Sequence, residues 1–349
     1  MGGGSYSDAT YHANAAAAAR AGRSTFDHTS KIHSGASAAA AHTLLDPLTK
    51  AGPDSPFAGK VMREVTISDE HPNPTPVAVV LDVTGSNTAA AMAVHAKLPQ
   101  LFGLLQRKGY AEDPQILIAA IGDAYSDRVP LQVGQFESDN RIDAMVEAMY
   151  LEGAGGGQMS ETYELAAYYL ARHTYLEPWH KQGRKGYAIF IGDEKPYDMV
   201  RRNFSGYYGK NHTLESLTGD SLEADISTKD IFEELKEQYE VFFLFQKQGS
   251  YSVDQVLPAW KELLGERALV LEDPNAVCEF IAGLLGMLEG GFDIDEIEAD
   301  LKAVGANASA IKAAGKALAT VGSGGGGTVA TSDGSLPSDD TTTGGTSRI

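Results

Sequence analysis

The chain has 349 residues, of which 43% are hydrophobic and 21% are charged, and its formal net charge at pH 7 is -19. This length suits one large domain with extensions. Because the negative charge repels a phosphate backbone and no cluster of Lys and Arg offsets it, we expect no nucleic-acid partner. No apolar run approaches the roughly 18 residues that cross a bilayer, so we also expect no membrane-embedded segment.

The first 60 residues are rich in glycine, serine and alanine, a composition that predicts a low-complexity N-terminal arm. The Ala-rich stretch Asp8–Ala21 favours one helix within this arm, since alanine has the highest helix propensity. The N-terminus lacks a charged region followed by an apolar one, so no secretory signal is predicted and we expect a cytoplasmic protein.

Residues 61–290 alternate short apolar runs with amphipathic stretches, a pattern typical of an α/β domain. It predicts a doubly wound, mostly parallel open sheet with helices on both faces. A short alternating segment, Leu131–Phe136, favours an antiparallel edge strand. The predicted buried strands are Val77–Val83, Gln115–Ile121, Tyr187–Ile191, Val241–Phe245 and Ala268–Leu271.

The character of the chain changes after residue 290. Residues 291–321 contain an acidic and an Ala-rich helical pattern, which predicts a short helical extension. Residues 322–349 form a Gly/Ser/Thr tail that is too polar to build a core, and we expect it to be disordered.

The segment Asp82-Val83-Thr84-Gly85-Ser86 directly follows the first predicted strand. In open parallel sheets, ligands bind at the carboxyl edge, where this segment lies. One carboxylate and two hydroxyls fall within a single tight turn, and such oxygen ligands suit Mg²⁺ and similar hard cations. The segment therefore predicts a divalent cation bound by Asp82, Thr84 and Ser86.

Two later strands also end in acidic residues, Asp123 after one and Asp193-Glu194 after the other. If these strands flank the strand that ends at Asp82, three acids converge on one edge of the sheet. Their mutual repulsion is costly unless a cation or a proton offsets it. This argument is a second reason to expect a cation there.

A glycine-rich loop, Gly153–Gly157, leads into a helix predicted from Glu161 to Tyr175. At its end, Ser160 or Thr162 offers a hydroxyl to the ion, directly or through water. Ser160 can equally cap the helix N-terminus, and the two roles are compatible.

Together these motifs resemble the metal-ion-dependent adhesion site of von Willebrand factor A (vWA) domains, over about residues 75–290. The family's usual first motif has Ser where Thr84 stands, a change that keeps the hydroxyl. The resemblance implies a metal site formed by Asp82, Thr84, Ser86, Ser160 and Asp193, with Thr162 as the alternative to Ser160. Asp123 and Glu194 would lie just outside these ligands. The metal is expected to be Mg²⁺, Mn²⁺ or Ca²⁺.

Further blocks, among them Pro130–Glu137 and the Met-Gly-Gly-Gly-Ser opening, resemble intracellular bacterial and phage proteins with this domain. Several relatives of that kind work beside AAA+ ATPases, which makes such an ATPase a candidate partner.

The expected function is a protein-binding module without catalytic activity, in which the metal keeps an open position for a carboxylate of a partner protein. One alternative is a metal-dependent hydrolase with Asp123 or Glu194 as general base, although none of the nine histidines forms a spaced ligand pair. The other alternative is a structural protein whose arms assemble a larger particle.

Overall fold

The computed structural model describes residues 4–35, 41–85, 88–153, 159–206, 211–247 and 251–324. Its strands are β1 (Arg63–Val65), β2 (Thr75–Asp82), β3 (Pro114–Ile121), β4 (Leu131–Glu137), β5 (Ser160–Glu161), β6 (Thr174–Leu176), β7 (Gly186–Gly192), β8 (Lys195–Pro196), β9 (Met199–Val200), β10 (Asn203–Ser205), β11 (Asn211–Thr213), β12 (Ile226–Ser227), β13 (Tyr239–Gln246) and β14 (Ala268–Leu271). Its α-helices are α1 (Asp8–Arg20), α2 (Asp27–His33), α3 (Thr88–Phe102), α4 (Arg141–Glu147), α5 (Tyr163–Arg172), α6 (Glu177–Gln182), α7 (Leu214–Thr218), α8 (Thr228–Gln238), α9 (Val253–Leu264), α10 (Val277–Leu288), α11 (Ile294–Ala303) and α12 (Ala308–Gly324).

Six of the strands form the central sheet, in the order β14-β13-β7-β2-β3-β4. All neighbouring pairs are parallel except β3 and β4, so β4 is an antiparallel edge strand. The prediction of a doubly wound, mostly parallel sheet with one antiparallel edge is confirmed. Each predicted strand begins and ends within two residues of the observed one.

The sheet is buried on both faces, which explains why its strands are almost continuously apolar. Along β2, Val77, Val79 and Leu81 face a core shared with α3, α4, α10, α11 and α12. The alternate residues Ala78 and Val80 face a second core shared with α5, α8 and α9. Because successive side chains of a strand point to opposite faces, one strand serves both cores.

The helix predicted from Glu161 to Tyr175 is shorter in the structure. α5 begins at Tyr163 and ends at Arg172, and residues Thr174–Leu176 form β6, which pairs in parallel with β1. The backbone N–H of Arg63 donates to the His173 carbonyl at 2.8 Å. Pairing with a distant strand thus ends the helix earlier than its local pattern predicts.

Parts of both extensions pack on the domain. α1 has no buried residue, but just before it the Tyr6 ring stacks on Phe102, with centroids 4.4 Å apart, and its hydroxyl donates to Asp143 at 2.7 Å. In the C-terminal extension, Ile297 of α11 and Leu318 of α12 are fully buried in the core that contains α10. Residues 325–349 of the predicted tail lie outside the described residues.

Across the described part of the chain, no helix combines the length and apolar character needed to span a bilayer.

A buried arginine joins the N-terminal segment to the edge of the sheet. Arg63 is 1% exposed, and its guanidinium donates to the carbonyls of Asp46 and Thr49 at 2.8 Å and of Gly134 in β4 at 2.9 Å. The same group lies over the Tyr169 ring, 5.6 Å from its centroid. The charge is thus solvated by backbone dipoles and an aromatic face rather than by water.

We expect Arg63→Met to lower the free energy of unfolding by about 3 kcal/mol, because it leaves buried carbonyl oxygens without donors. Urea denaturation measures this loss. The exposed Arg20 at the end of α1 provides the control, since Arg20→Ala should change stability by no more than about 0.5 kcal/mol. Equal effects of the two substitutions would contradict the role given to Arg63.

Candidate metal centre at the carboxyl edge of the sheet

The two central strands β2 and β7 end side by side at the carboxyl edge. The chain leaves β2 toward β3 on one side and leaves β7 toward β13 on the other, so the edge between them is the topological switch point of the sheet. Asp82 is the last residue of β2 and Asp193 follows β7, and both are fully buried. The charge of Asp193 contributes to raising the pKa of Asp82. The register therefore brings two distant acids to one site.

Hydrogen bonds hold the Asp82 carboxylate in place. Its Oδ1 accepts from the Thr84 backbone N–H at 2.9 Å and from the Thr84 hydroxyl at 2.6 Å, and its Oδ2 accepts from the Tyr163 hydroxyl at 2.9 Å. Burial raises the pKa of Asp82 to about 6, against the effect of the Thr84 hydrogen bonds. The predicted pair Asp82 and Thr84 is thus in direct contact, whereas Ser86 lies outside the described residues.

The glycine in each Ile-Gly-Asp segment makes room for a neighbouring side chain. A Cβ atom at Gly192 would overlap the Tyr163 hydroxyl that bonds Asp82. A Cβ atom at Gly122 would overlap the carboxylate of Asp127, whose Oδ2 accepts from the Asp123 backbone N–H at 2.7 Å. These roles for Tyr163 and Asp127 were not predicted. In the sequence, the only local indication of these two roles is the glycine directly before each aspartate.

The three residues before α5 have different environments. Thr162 is buried and its hydroxyl donates to the Gly122 carbonyl, while Ser160 is half-buried. Between them, Glu161 is 2% exposed. Burial raises the pKa of Glu161 well above its ordinary value, and the charge of Asp82 raises it further. Because side chains alternate along an extended segment, Glu161 points away from the side taken by its two hydroxyl neighbours.

Glu161 and Glu194 form a carboxyl pair next to Asp82. Burial raises the pKa of both glutamates, and the charge of Asp82 raises both further; the charge of Asp193 also raises the pKa of Glu194. The Oε2 atoms of both glutamates have no hydrogen-bond partner among the described residues. The sequence indicates Glu194 as a neighbour of the site, whereas only the structure brings Glu161 there.

Asp123, the other residue predicted to lie near the metal, mainly stabilises the turn that it begins. Its carboxylate accepts hydrogen bonds from the Tyr125 backbone N–H at 3.0 Å, the Ser126 hydroxyl at 2.9 Å and the Tyr197 hydroxyl at 3.2 Å. Burial raises its pKa. Both oxygens are therefore engaged in holding residues 123–127 and Tyr197 together.

The chemistry of the edge fits a hard divalent cation. Asp82, Thr84, Asp193, Glu161 and Glu194 offer only oxygen ligands, the type preferred by Mg²⁺, Mn²⁺ and Ca²⁺. In the described ranges, no three His, Cys, Asp or Glu side chains are already at metal-ligand spacing. A cation here would thus depend on the Thr84 hydroxyl and on water as well as on carboxylates.

We expect Tyr163→Phe to weaken divalent-cation binding about 10-fold or more, because the hydroxyl that orients the Asp82 carboxylate is lost. Isothermal titration with Mn²⁺ measures the change. Tyr239→Phe is the matched control, since that buried hydroxyl bonds Thr174 instead. Similar losses of affinity in both variants would show that the effect is not specific to Asp82.

We also expect the cation-free protein to lose stability as the pH rises. Burial raises the pKa from an ordinary 3.8 to about 6 for Asp82 and about 7 for Asp127. Between about pH 4 and 7 the folded chain thus binds more protons than the unfolded chain, so the free energy of unfolding falls with increasing pH. Melting temperatures in EDTA should decline over this range, and less steeply for Asp82→Asn. An identical decline in the variant would exclude Asp82 as a contributor.

Comparisons with known proteins show similarity of fold alone. No protein-family model and no curated protein matches this sequence. The pilus adhesin SpaC from Lactobacillus rhamnosus GG, in its open conformation, is 10% identical over 69% of this chain, with a TM-score of 0.41. This chain spans only 31% of that adhesin.

Two further solved structures are similar at the same distant level. The vWF domain of the type V pili tip protein Mfa5 from Porphyromonas gingivalis is 12% identical over 63% of this chain and 96% of its own, with a TM-score of 0.39. Proximal thread matrix protein 1 from the mussel byssus, in a structure with a zinc-occupied MIDAS motif, is 11% identical over 62% of this chain and 47% of its own, with a TM-score of 0.38. The assignment of the site therefore rests on the residues of this chain.

Proposed function

We propose that this chain is a metal-dependent protein-interaction module, in which a divalent cation at Asp82, Thr84 and Asp193 receives a carboxylate of a partner protein. The observation that carries the proposal is the pair of fully buried acids, Asp82 and Asp193, at the switch point of the sheet. Carboxylates buried close together are stabilised by a proton or by a nearby positive charge, and a cation can supply that charge.

The Asp82 loop is prepared for such an ion. Two hydrogen bonds from Thr84 and one from Tyr163 fix the orientation of the Asp82 carboxylate before any ligand binds. The Thr84 hydroxyl is a neutral ligand, so it adds an oxygen without neutralising the charge of the ion. A divalent cation held in this way keeps coordination positions for water, which a carboxylate can replace.

The hydrogen bonding of Asp123 favours binding over hydrolysis. A general base needs a carboxylate oxygen directed at the water that it deprotonates. Both Asp123 oxygens instead accept hydrogen bonds from Tyr125, Ser126 or Tyr197. Asp123 is therefore a poor candidate for a general base, and we propose a role in recognition.

The proposal is tested with Mn²⁺ as a paramagnetic probe. Binding of Mn²⁺ to the full chain should enhance the relaxation of water protons, because water occupies the open positions of the ion. Titration with acetate should then lower the enhancement as the carboxylate displaces water. We expect Asp82→Asn to weaken Mn²⁺ binding by more than about 100-fold, beyond the effect typical of an outer hydrogen-bond partner.

Asp300→Asn is the matched control, because Asp300 bonds Lys108 and Tyr110 away from this edge. Mn²⁺ affinity that is equal in the wild type and Asp82→Asn would place the ion elsewhere and refute the site. Mn²⁺ binding without any response to acetate would refute the carboxylate partner.

A further inference from the structure

We infer that Gln246, the last residue of β13, is a positioning residue of the proposed metal centre, where its amide orients the Asp193 carboxylate and a water of the bound cation. The inference rests on the proposed function, since it assigns a further residue to that site. Gln246 is far from the Asp82 motif in the sequence, and only the sheet brings both to the same edge.

The first observation is that Gln246 carries a buried amide without hydrogen bonds. The residue is 0% exposed, and neither its Oε1 nor its Nε2 has a hydrogen-bond partner. Within the described ranges, no other side chain has two buried polar atoms in this condition. An amide buried in this way lowers stability, because its donors and its acceptor have lost water and gained nothing in return. Such a group requires a specific explanation.

The second observation is the register of the sheet, which brings Gln246 to the metal centre. Phe245 of β13 pairs in parallel with Gly192 of β7. The next residues along the two chains are Gln246 and Asp193, and adjacent strands lie about 4.8 Å apart. Gln246 thus stands beside one of the two buried acids on which the proposed site depends.

The alternation of side chains places these two residues on the same side of the sheet. A Cβ atom at Gly192 would overlap the Tyr163 hydroxyl, and Phe245 packs in the core that contains Tyr163. Because successive side chains point to opposite faces, Gln246 and Asp193 belong to the other side. That side is covered by α3, the helix that follows the Asp82 loop.

A carboxamide has the chemistry that this position needs. Its Nε2 can donate to the Asp193 carboxylate, while its Oε1 can accept from a water bound to the ion. A Lys or Arg side chain here would neutralise Asp193 and oppose the cation, whereas an amide orients the carboxylate and leaves its charge intact. Outer hydrogen-bond partners of this kind raise the affinity of a metal site.

The two acids of the site would then be oriented in comparable ways. Asp82 accepts hydrogen bonds from Thr84 and from the Tyr163 hydroxyl. Gln246 adds a donor to the interactions that Asp193 already has. The amide lowers stability in the absence of the ion and contributes to affinity when the ion is bound.

The experiment therefore measures cation affinity and cation-free stability in the same full-length variants. Gln246→Met keeps a side chain of similar length and removes both polar atoms. We expect its Mn²⁺ affinity, measured by isothermal titration, to fall about 10-fold or more. We expect its melting temperature in EDTA to rise by about 2 to 4 °C, because an amide without partners has been removed from the interior.

Gln238→Met is the matched control. Gln238 is 7% exposed, and its Nε2 donates to the carbonyls of Leu170 at 3.2 Å and Ala171 at 3.0 Å. Its replacement should lower the melting temperature in EDTA and leave Mn²⁺ affinity unchanged. Opposite responses of the two glutamines would separate a residue of the metal centre from one that only supports the fold.

The outcomes distinguish this inference from the proposed function. If Asp82→Asn binds Mn²⁺ as tightly as the wild type, the proposed function and this inference both fail. If affinity is lost in Asp82→Asn but unchanged in Gln246→Met, only the role of Gln246 is overturned. A lower melting temperature of Gln246→Met in EDTA, or its failure to fold, would assign the amide to the fold and overturn the inference as well.

Discussion

The carboxyl edge of the sheet is governed by the electrostatic cost of burying acids together. Asp82, Asp193 and Glu161 are each no more than 2% exposed, and Glu194 is 8% exposed. In this environment of low polarity, the charge of Asp82 raises the pKa of Glu161 and of Glu194, and that of Asp193 raises the pKa of Asp82 and of Glu194. The rest of the fold holds the acids in this arrangement, since a flexible edge would relieve the repulsion by moving them into water.

The rigidity comes from the two cores and from close packing at the strand ends. β2 contributes alternate side chains to both cores, so Asp82 stands at the end of a strand that is packed on both faces. Gly192 admits the Tyr163 hydroxyl, and the same tyrosine ring packs edge-on against Trp260, whose indole N–H bonds Glu194. One aromatic pair thus supports both the Asp82 carboxylate and the glutamate pair. Shared support of this kind keeps ligands in place without a bound ion.

The net charge of the whole chain affects which partners the site can attract. A protein with a net charge of -19 repels acidic partners at long range, so recognition of a carboxylate needs a local reversal of sign. The proposed cation at the carboxyl edge would provide that reversal over a short distance, because salt screens the remaining surface charges within about 8 to 10 Å. Binding would thus depend on metal concentration, and this dependence offers a simple means of control.

The sequence by itself determined the fold class, the strands of the central sheet and the first site motif. Apolar runs such as Val77–Val83 indicate buried strands because both faces of a parallel sheet exclude water. The Asp82 motif is equally local, since Thr84 reaches Asp82 within one turn. Such features depend on neighbours in the chain and can be predicted from it.

Only the tertiary structure decided which distant side chains meet. It ends α5 at Arg172, because residues Thr174–Leu176 pair with β1. It engages the Thr162 hydroxyl with the Gly122 carbonyl and buries Glu161 near enough to Asp82 for that charge to raise its pKa. These outcomes depend on strand register and on the side of the chain that each residue occupies, and both are set by pairing between segments far apart in the sequence.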